Sequence, residues 1–283
     1  MPLEKIIPGA PAHTIDEVIH QLEQLIAECI DSKDRIGYFA ALYHKVTVRV
    51  KEGILNNEFD NGARMERLDV IFANRFLTAV EQFRNGQPAT GSWKVAYDAS
   101  RKRKYLVLQH LLLGMNAHIN LDLGIAAVEA ANRNDLQSIR NDFNSINTIL
   151  GSLTFEVMNE LNRVSPLLSL FGFHATNPSI LIQFSLTNAR DGAWSFAQDL
   201  SEKIGKPAWA WTSCIESRDA TITKLGQSLV KPKGFFIRVT IWIIHLFEWK
   251  NPANVIKAFY KYKKQYITVN KEPDKVAANQ QAV

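Results

Sequence analysis

The segment Tyr105–Leu123, YLVLQHLLLGMNAHINLDL, sets two histidines, two asparagines and one aspartate inside an otherwise apolar run. A helix that is apolar around most of its circumference belongs inside a bundle, with other elements packed on every side. Its polar side chains must then find partners indoors, because a buried polar group left unpaired costs roughly 2–7 kcal/mol. Any site in this chain is expected beside that stretch.

The flanking sequence supplies helices to surround it. Thr14 and Glu17 form a capping box ahead of Val18, Ile19, Leu22, Leu25 and Ile26, which predicts a first helix over about 15–30. Asp31 or Ser32 is the expected cap of a second, with Phe39, Leu42, Tyr43, Val46 and Val50 on its apolar side and Gly53 at its end. VTVRV within it has strand propensity but no partner strand nearby, so it is read as helix. Met65, Leu68, Phe72, Phe76, Ala79 and Phe83 mark a third. Ser92 or Asp98 is expected to open the long apolar helix, and Asp122 to cap a new one after a break between His118 and Asp122. Asp135 caps a helix carrying Leu136, Ile139, Phe143, Ile146, Leu150, Leu153 and Val157. Pro166, Gly172 and Pro178 bracket an irregular piece containing His174; Ile180, Phe184, Trp194 and Ala197 trace the next helix, and three more follow up to a polar tail. The fold expected is all-α, a single domain of roughly ten helices over 14–268, with 1–13 as an extension and 269–283 as a disordered tail.

Composition narrows the partners. The 283 residues are 46% hydrophobic and 22% charged, ordinary values for a globular protein. Part of the net charge of +5 sits in KAFYKYKKQY near the C-terminus, read as a solvated helix face and not as a nucleic-acid surface. Cys29 and Cys214 lie too far apart for a C-x-x-C motif, which points to reduced thiols and a cytoplasmic location. The start, MPLEKIIPGAPAHT, lacks a signal-peptide profile. The run Phe235–Phe247 is shorter than the roughly 20 residues a spanning helix needs. With the lysines after it, 235–268 also has the character of an amphipathic membrane anchor.

No phosphate loop, G-x-G-x-x-G, H-E-x-x-H or G-x-S-x-G is present, and Glu17 to His20 is a lone E-x-x-H. His110 and His118, eight residues apart, lie roughly 12 Å apart along a continuous helix and cannot share one metal ion. His118 and Asp122 are four apart, so the carboxylate can hold one ring nitrogen and leave the other facing a cavity; the structural alternative has Asp122 capping a helix and His118 donating to a carbonyl. Asn116 and Asn120 share a face and can bond each other or a ligand, and Gly114 leaves room for a helix or a small molecule. Tyr43, His44, Asp69, Arg75, Asn147, Arg190 and Asp191 also interrupt apolar stripes, and a link from Asp69 or Asp191 to Arg75 or Arg190 is the economical pairing.

The segments GYFAALYHKVTVRVKEGI, RMERLDVIFANRF, LGMNAHINLDL, DFNSIN and ARDGAW resemble an uncharacterised, predominantly bacterial all-helical family of domains of unknown function, over about 36–200. The resemblance implies no reaction; it points to Tyr43, Asp69, Arg75, Asn116, His118, Asp122, Asn147 and Arg190. The leading expectation is an enzyme of hydrolytic or metal-assisted type acting on a small molecule. His118 and Asp122 would be base and orienter, or the ligands of a single divalent metal, with His110, Asn116 and Asn120 lining the pocket. The alternatives are a non-catalytic binding or interaction protein with a structural polar core, and a peripheral membrane protein.

Overall fold

The computed structural model describes residues 10–132, 135–168 and 186–260. Ten helices account for most of them, and no strand occurs among the described residues. They are α1 (Ile15–Ser32), α2 (Ile36–Leu55), α3 (Gly62–Arg84), α4 (Gly91–Ser100), α5 (Val107–Ala130), α6 (Arg140–Val164), α7 (Leu186–Ser201), α8 (Ala208–Val230), α9 (Phe235–Phe247) and α10 (Pro252–Tyr260).

Local signals set most boundaries. The Thr14 hydroxyl accepts from the Glu17 amide, while the Glu17 carboxylate reaches one residue further back, to the His13 amide, than a reciprocal box requires. α1 ends with Lys33 in the left-handed region, φ 56°, and Asp34, not Asp31 or Ser32, accepts from the first amide of α2. Gly53 lies inside α2, where a Cβ would press on the Phe59 ring, and does not end it. VTVRV is helical: with Thr47 and Val50 buried, the α-helical period overrides its strand propensity. Asp135 caps the Leu136–Ile139 turn that leads into α6.

α5 forms the axis, and two expectations about it are corrected. It does not grow out of Ser92 or Asp98: α4 stops at Ser100, and α5 restarts at Val107 after the Gln109 side chain accepts from the Leu106 amide. Nor does the chain break at Asp122. Residues His118–Asp122 form one π-helical turn inside a continuous helix, with the Leu123 amide bonded to the His118 carbonyl. α5 is long and apolar enough to span a bilayer, yet 94% of its apolar window is buried by neighbouring elements, as a core helix requires. α2 and α4 pack against its first half, and α3 and α7 against its second. Gly114 faces α2, where a Cβ would intrude on the Phe39 ring, so the missing side chain serves helix packing. The irregular piece with His174 and Pro178, the helix start at Ile180 and Phe184, residues 1–9 and everything from 261 onward, the tail included, lie outside the described residues.

Candidate functional site

The π turn is where α5 turns its polar residues inward. Wider than an α turn, it accommodates one extra residue, and such turns occur often at functional sites. Asn116, His118, Asn120 and Asp122 are all buried, with Asn116 fully so.

Asp122 is the hub. Its Oδ1 accepts from Arg75 Nε at 2.8 Å and its Oδ2 from Trp93 Nε1 at 2.8 Å, while His118 Nδ1 lies 3.4 Å from the same Oδ2. Burial alone would push the Asp122 carboxyl up; the Arg75 guanidinium and the bonds from His118 and Trp93 outweigh it and hold the group below the usual range. An ionised carboxylate only accepts, so Nδ1 carries the proton and Nε2 keeps a lone pair. Burial also lowers the His118 pKa, with Asp122 pulling the other way, so the imidazole is neutral at pH 7. Nε2 is buried and has no partner.

Aromatic rings fix the imidazole plane. Phe72 stacks on it at 3.5 Å with 7° between planes, and Tyr43 meets it edge-on at 4.5 Å. His118 forms part of the wall of a cavity of about 310 Å³ between α2, α5, α6 and α7. The wall is overwhelmingly apolar, and its polar members are Tyr43, His118, Thr154 and Arg190. Arg190 Nε, like His118 Nε2, is buried without a partner, while Thr47 stands beside the Tyr43 hydroxyl. Arg190 bonds the Phe143 carbonyl through Nη2 and lies 4.5 Å over the Phe143 ring; burial brings its pKa down to about 10, with Asp191 opposing, which leaves it charged at neutral pH.

The remaining expected residues scatter. His110 sits elsewhere along α5, edge-on to Tyr38 and Tyr105, with its pKa pushed down to about 3 by burial and by the charges of Arg35 and His245; it does not line the cavity. Asn116 and Asn120 do not line it either: Asn120 donates to Asn116 at 3.2 Å, and Asn116 donates to the Ile222 carbonyl of α8. His44 is 3.4 Å from Glu23 and packs against Tyr260, away from the cavity. Asn147 is exposed, because Ile146 and Ile149 carry the inner side of α6. The pairing of Asp69 with Arg75 is overturned. Six residues separate them on α3, so they face different sides; Arg75 takes Asp122. Asp69 Oδ2 has no partner, and burial, helped by Glu66, pushes its carboxyl up to about 8. Asp191 is exposed and forms no ion pair with Arg190 among the described residues.

Among the described residues no three His, Cys, Asp or Glu side chains gather as a metal would need, and both Asp122 oxygens already accept hydrogen bonds. The described residues thus add no third ligand to the expected His118–Asp122 pair. Two residues central to the site do not stand out in the sequence. Trp93 carries a signal, since a buried indole N–H needs an acceptor; Phe72 is one more member of an apolar stripe.

No curated protein and no solved structure matches this chain. A family model does, across 15–232, which extends the resemblance seen over 36–200 in both directions. The chain belongs to this family, DUF5995, described as a family of unknown function.

Proposed function

We propose that the cavity beside His118 binds a small, mostly apolar molecule carrying an acidic or hydroxyl group, and that His118 is the base that meets this group. The observation that carries the reading is the unpartnered Nε2 of a fully buried, neutral histidine whose other nitrogen is tied to a fixed carboxylate. This is the orienter–base arrangement of general base catalysis: Asp122 selects the tautomer and stabilises the imidazolium that forms on proton uptake. The apolar walls supply affinity without direction. Arg190 supplies a second polar point, a charged guanidinium that forms no ion pair with a carboxylate among the described residues and whose Nε–H is unused, suited to a carboxylate on the ligand. The volume of about 310 Å³ lies at the small end of ligand pockets, which run roughly 300–1,000 Å³.

Titration calorimetry with a medium-chain fatty acid and its methyl ester tests the reading. The acid is expected to bind more tightly than the ester, and His118→Gln to weaken the acid by about tenfold or more while the protein stays folded. If neither compound binds, or if His118→Gln leaves both affinities unchanged, the cavity is not the site. A structural polar core is favoured as a second reading only for Asn116 and Asn120, whose bonds run to each other and to the α8 backbone.

A further inference from the structure

Outside the cavity lining, α9 presents an apolar face to the outside. Phe235, Phe236, Trp242, Leu246 and Phe247 are 67%, 83%, 61%, 51% and 61% exposed, whereas Ile244 on the opposite side is buried. At about 100° per residue, Phe235, Trp242 and Leu246 fall along one line; Val239 and Ile243 lie next to it, and Phe236 and Phe247 complete an arc of roughly 140°. Ordinary surfaces expose large apolar side chains singly. Five on a helix of 13 residues form one contiguous apolar face.

Cations rim this face. Lys104, Lys231, Lys233 and Arg238 surround a cleft of about 660 Å³ whose other wall holds Ile241, Trp242 and His245. None of the four cations forms an ion pair with a carboxylate among the described residues. From Lys231 to Lys250 the sequence has four Lys or Arg side chains and one acidic residue, Glu248, which is turned inward to the Val107 amide and the Ser165 hydroxyl. Helix α9 lies beyond the family match, which ends at residue 232.

We infer that α9 docks the protein on an anionic lipid bilayer, with the Phe235, Phe236 and Trp242 rings in the headgroup–acyl boundary and Lys231, Lys233, Arg238 and Lys104 against lipid phosphates. The charge pattern selects this occupant. A second copy of the chain would set the same four unpaired cations near their own equivalents across a twofold axis, whereas a leaflet rich in acidic lipid neutralises them. A helix of 13 residues, about 20 Å long, is too short to span, and with Ile244 held in the core it can offer only its outward apolar arc to a membrane surface.

Flotation of the full chain with vesicles tests this. Phosphatidylcholine vesicles containing phosphatidylserine are expected to carry the protein, phosphatidylcholine alone to carry much less, and raised salt to release it. Phe235→Ser/Phe236→Ser/Trp242→Ser, all at exposed positions, is expected to remain in the bottom fraction with unchanged circular dichroism. Lys231→Glu/Lys233→Glu/Arg238→Glu is expected to lose the preference for acidic lipid, weakening binding about tenfold or more. No flotation with acidic vesicles overturns the proposal, as does flotation that survives the aromatic variant, which would assign binding to another part of the chain. A dimer in light scattering that the aromatic variant makes monomeric, with no vesicle binding, would assign the face to a second copy.

Discussion

At the scale of single residues the site is an arrangement of unequal partners. Asp122 accepts from three donors and His118 has one free nitrogen, so removing either changes different things. Asp122→Asn leaves the partly exposed Arg75 without its counter-charge and is expected to cost about 2–4 kcal/mol, somewhat under a fully buried pair because water reaches Arg75, as chemical denaturation would measure. Asp69 gives a cleaner test of sign. Its folded-state pKa of about 8 is above the unfolded value near 3.8, so the folded form holds a proton the unfolded form releases, and stability falls as pH rises between the two. Asp69→Asn removes that penalty. The gain in melting temperature over the parent should be small at pH 4, grow up to about pH 8 and then level off; a gain independent of pH would mean Asp69 is ionised in the folded protein.

At the scale of elements the π turn decides which residues meet. One extra residue in α5 rotates everything before it by about 100° relative to everything after it. Deleting Ile119, which restores an α-helical count, is expected to swing Asp122 away from either Arg75 and Trp93 or the first half of the helix, and to lower the melting temperature by 10 °C or more in order of magnitude. Gly114→Ala tests the same helix on its other side. Ala is the better helix former by about 1 kcal/mol, but the new methyl meets the Phe39 ring, so a net loss of about 1–2 kcal/mol is expected in a urea melt. An unchanged or raised midpoint would show that Phe39 can move aside.

At the scale of the whole molecule, acid sensitivity follows from buried imidazoles. His110 and His118 both have folded-state pKa values lowered by burial, so the unfolded chain binds protons first, and stability falls as pH drops below about 6.5. For His110 the loss continues down to about pH 3, and His110→Gln is expected to flatten the stability profile between pH 6 and pH 4. Asp122 adds to the same trend, since its lowered pKa gives stability that is lost as pH falls below about 4.

The sequence by itself determined the helical class, the burial of the segment around His110 and His118, and the four-residue spacing that lets His118 meet Asp122. These follow from periodicity and from the cost of exposing apolar surface, which are local. The tertiary structure decided the rest. Asp122 looked like a helix cap because Asp is a good N-cap, yet its carboxylate has stronger partners, Arg75 and Trp93, 47 and 29 residues away in the chain. Tyr43 and Arg190 reach the cavity while Asn147 and His44 do not, although all four interrupt apolar stripes. A spacing pattern gives the direction of a side chain from its own helix; which helix stands opposite, and whether a gap or a partner waits there, is set by how all the helices pack.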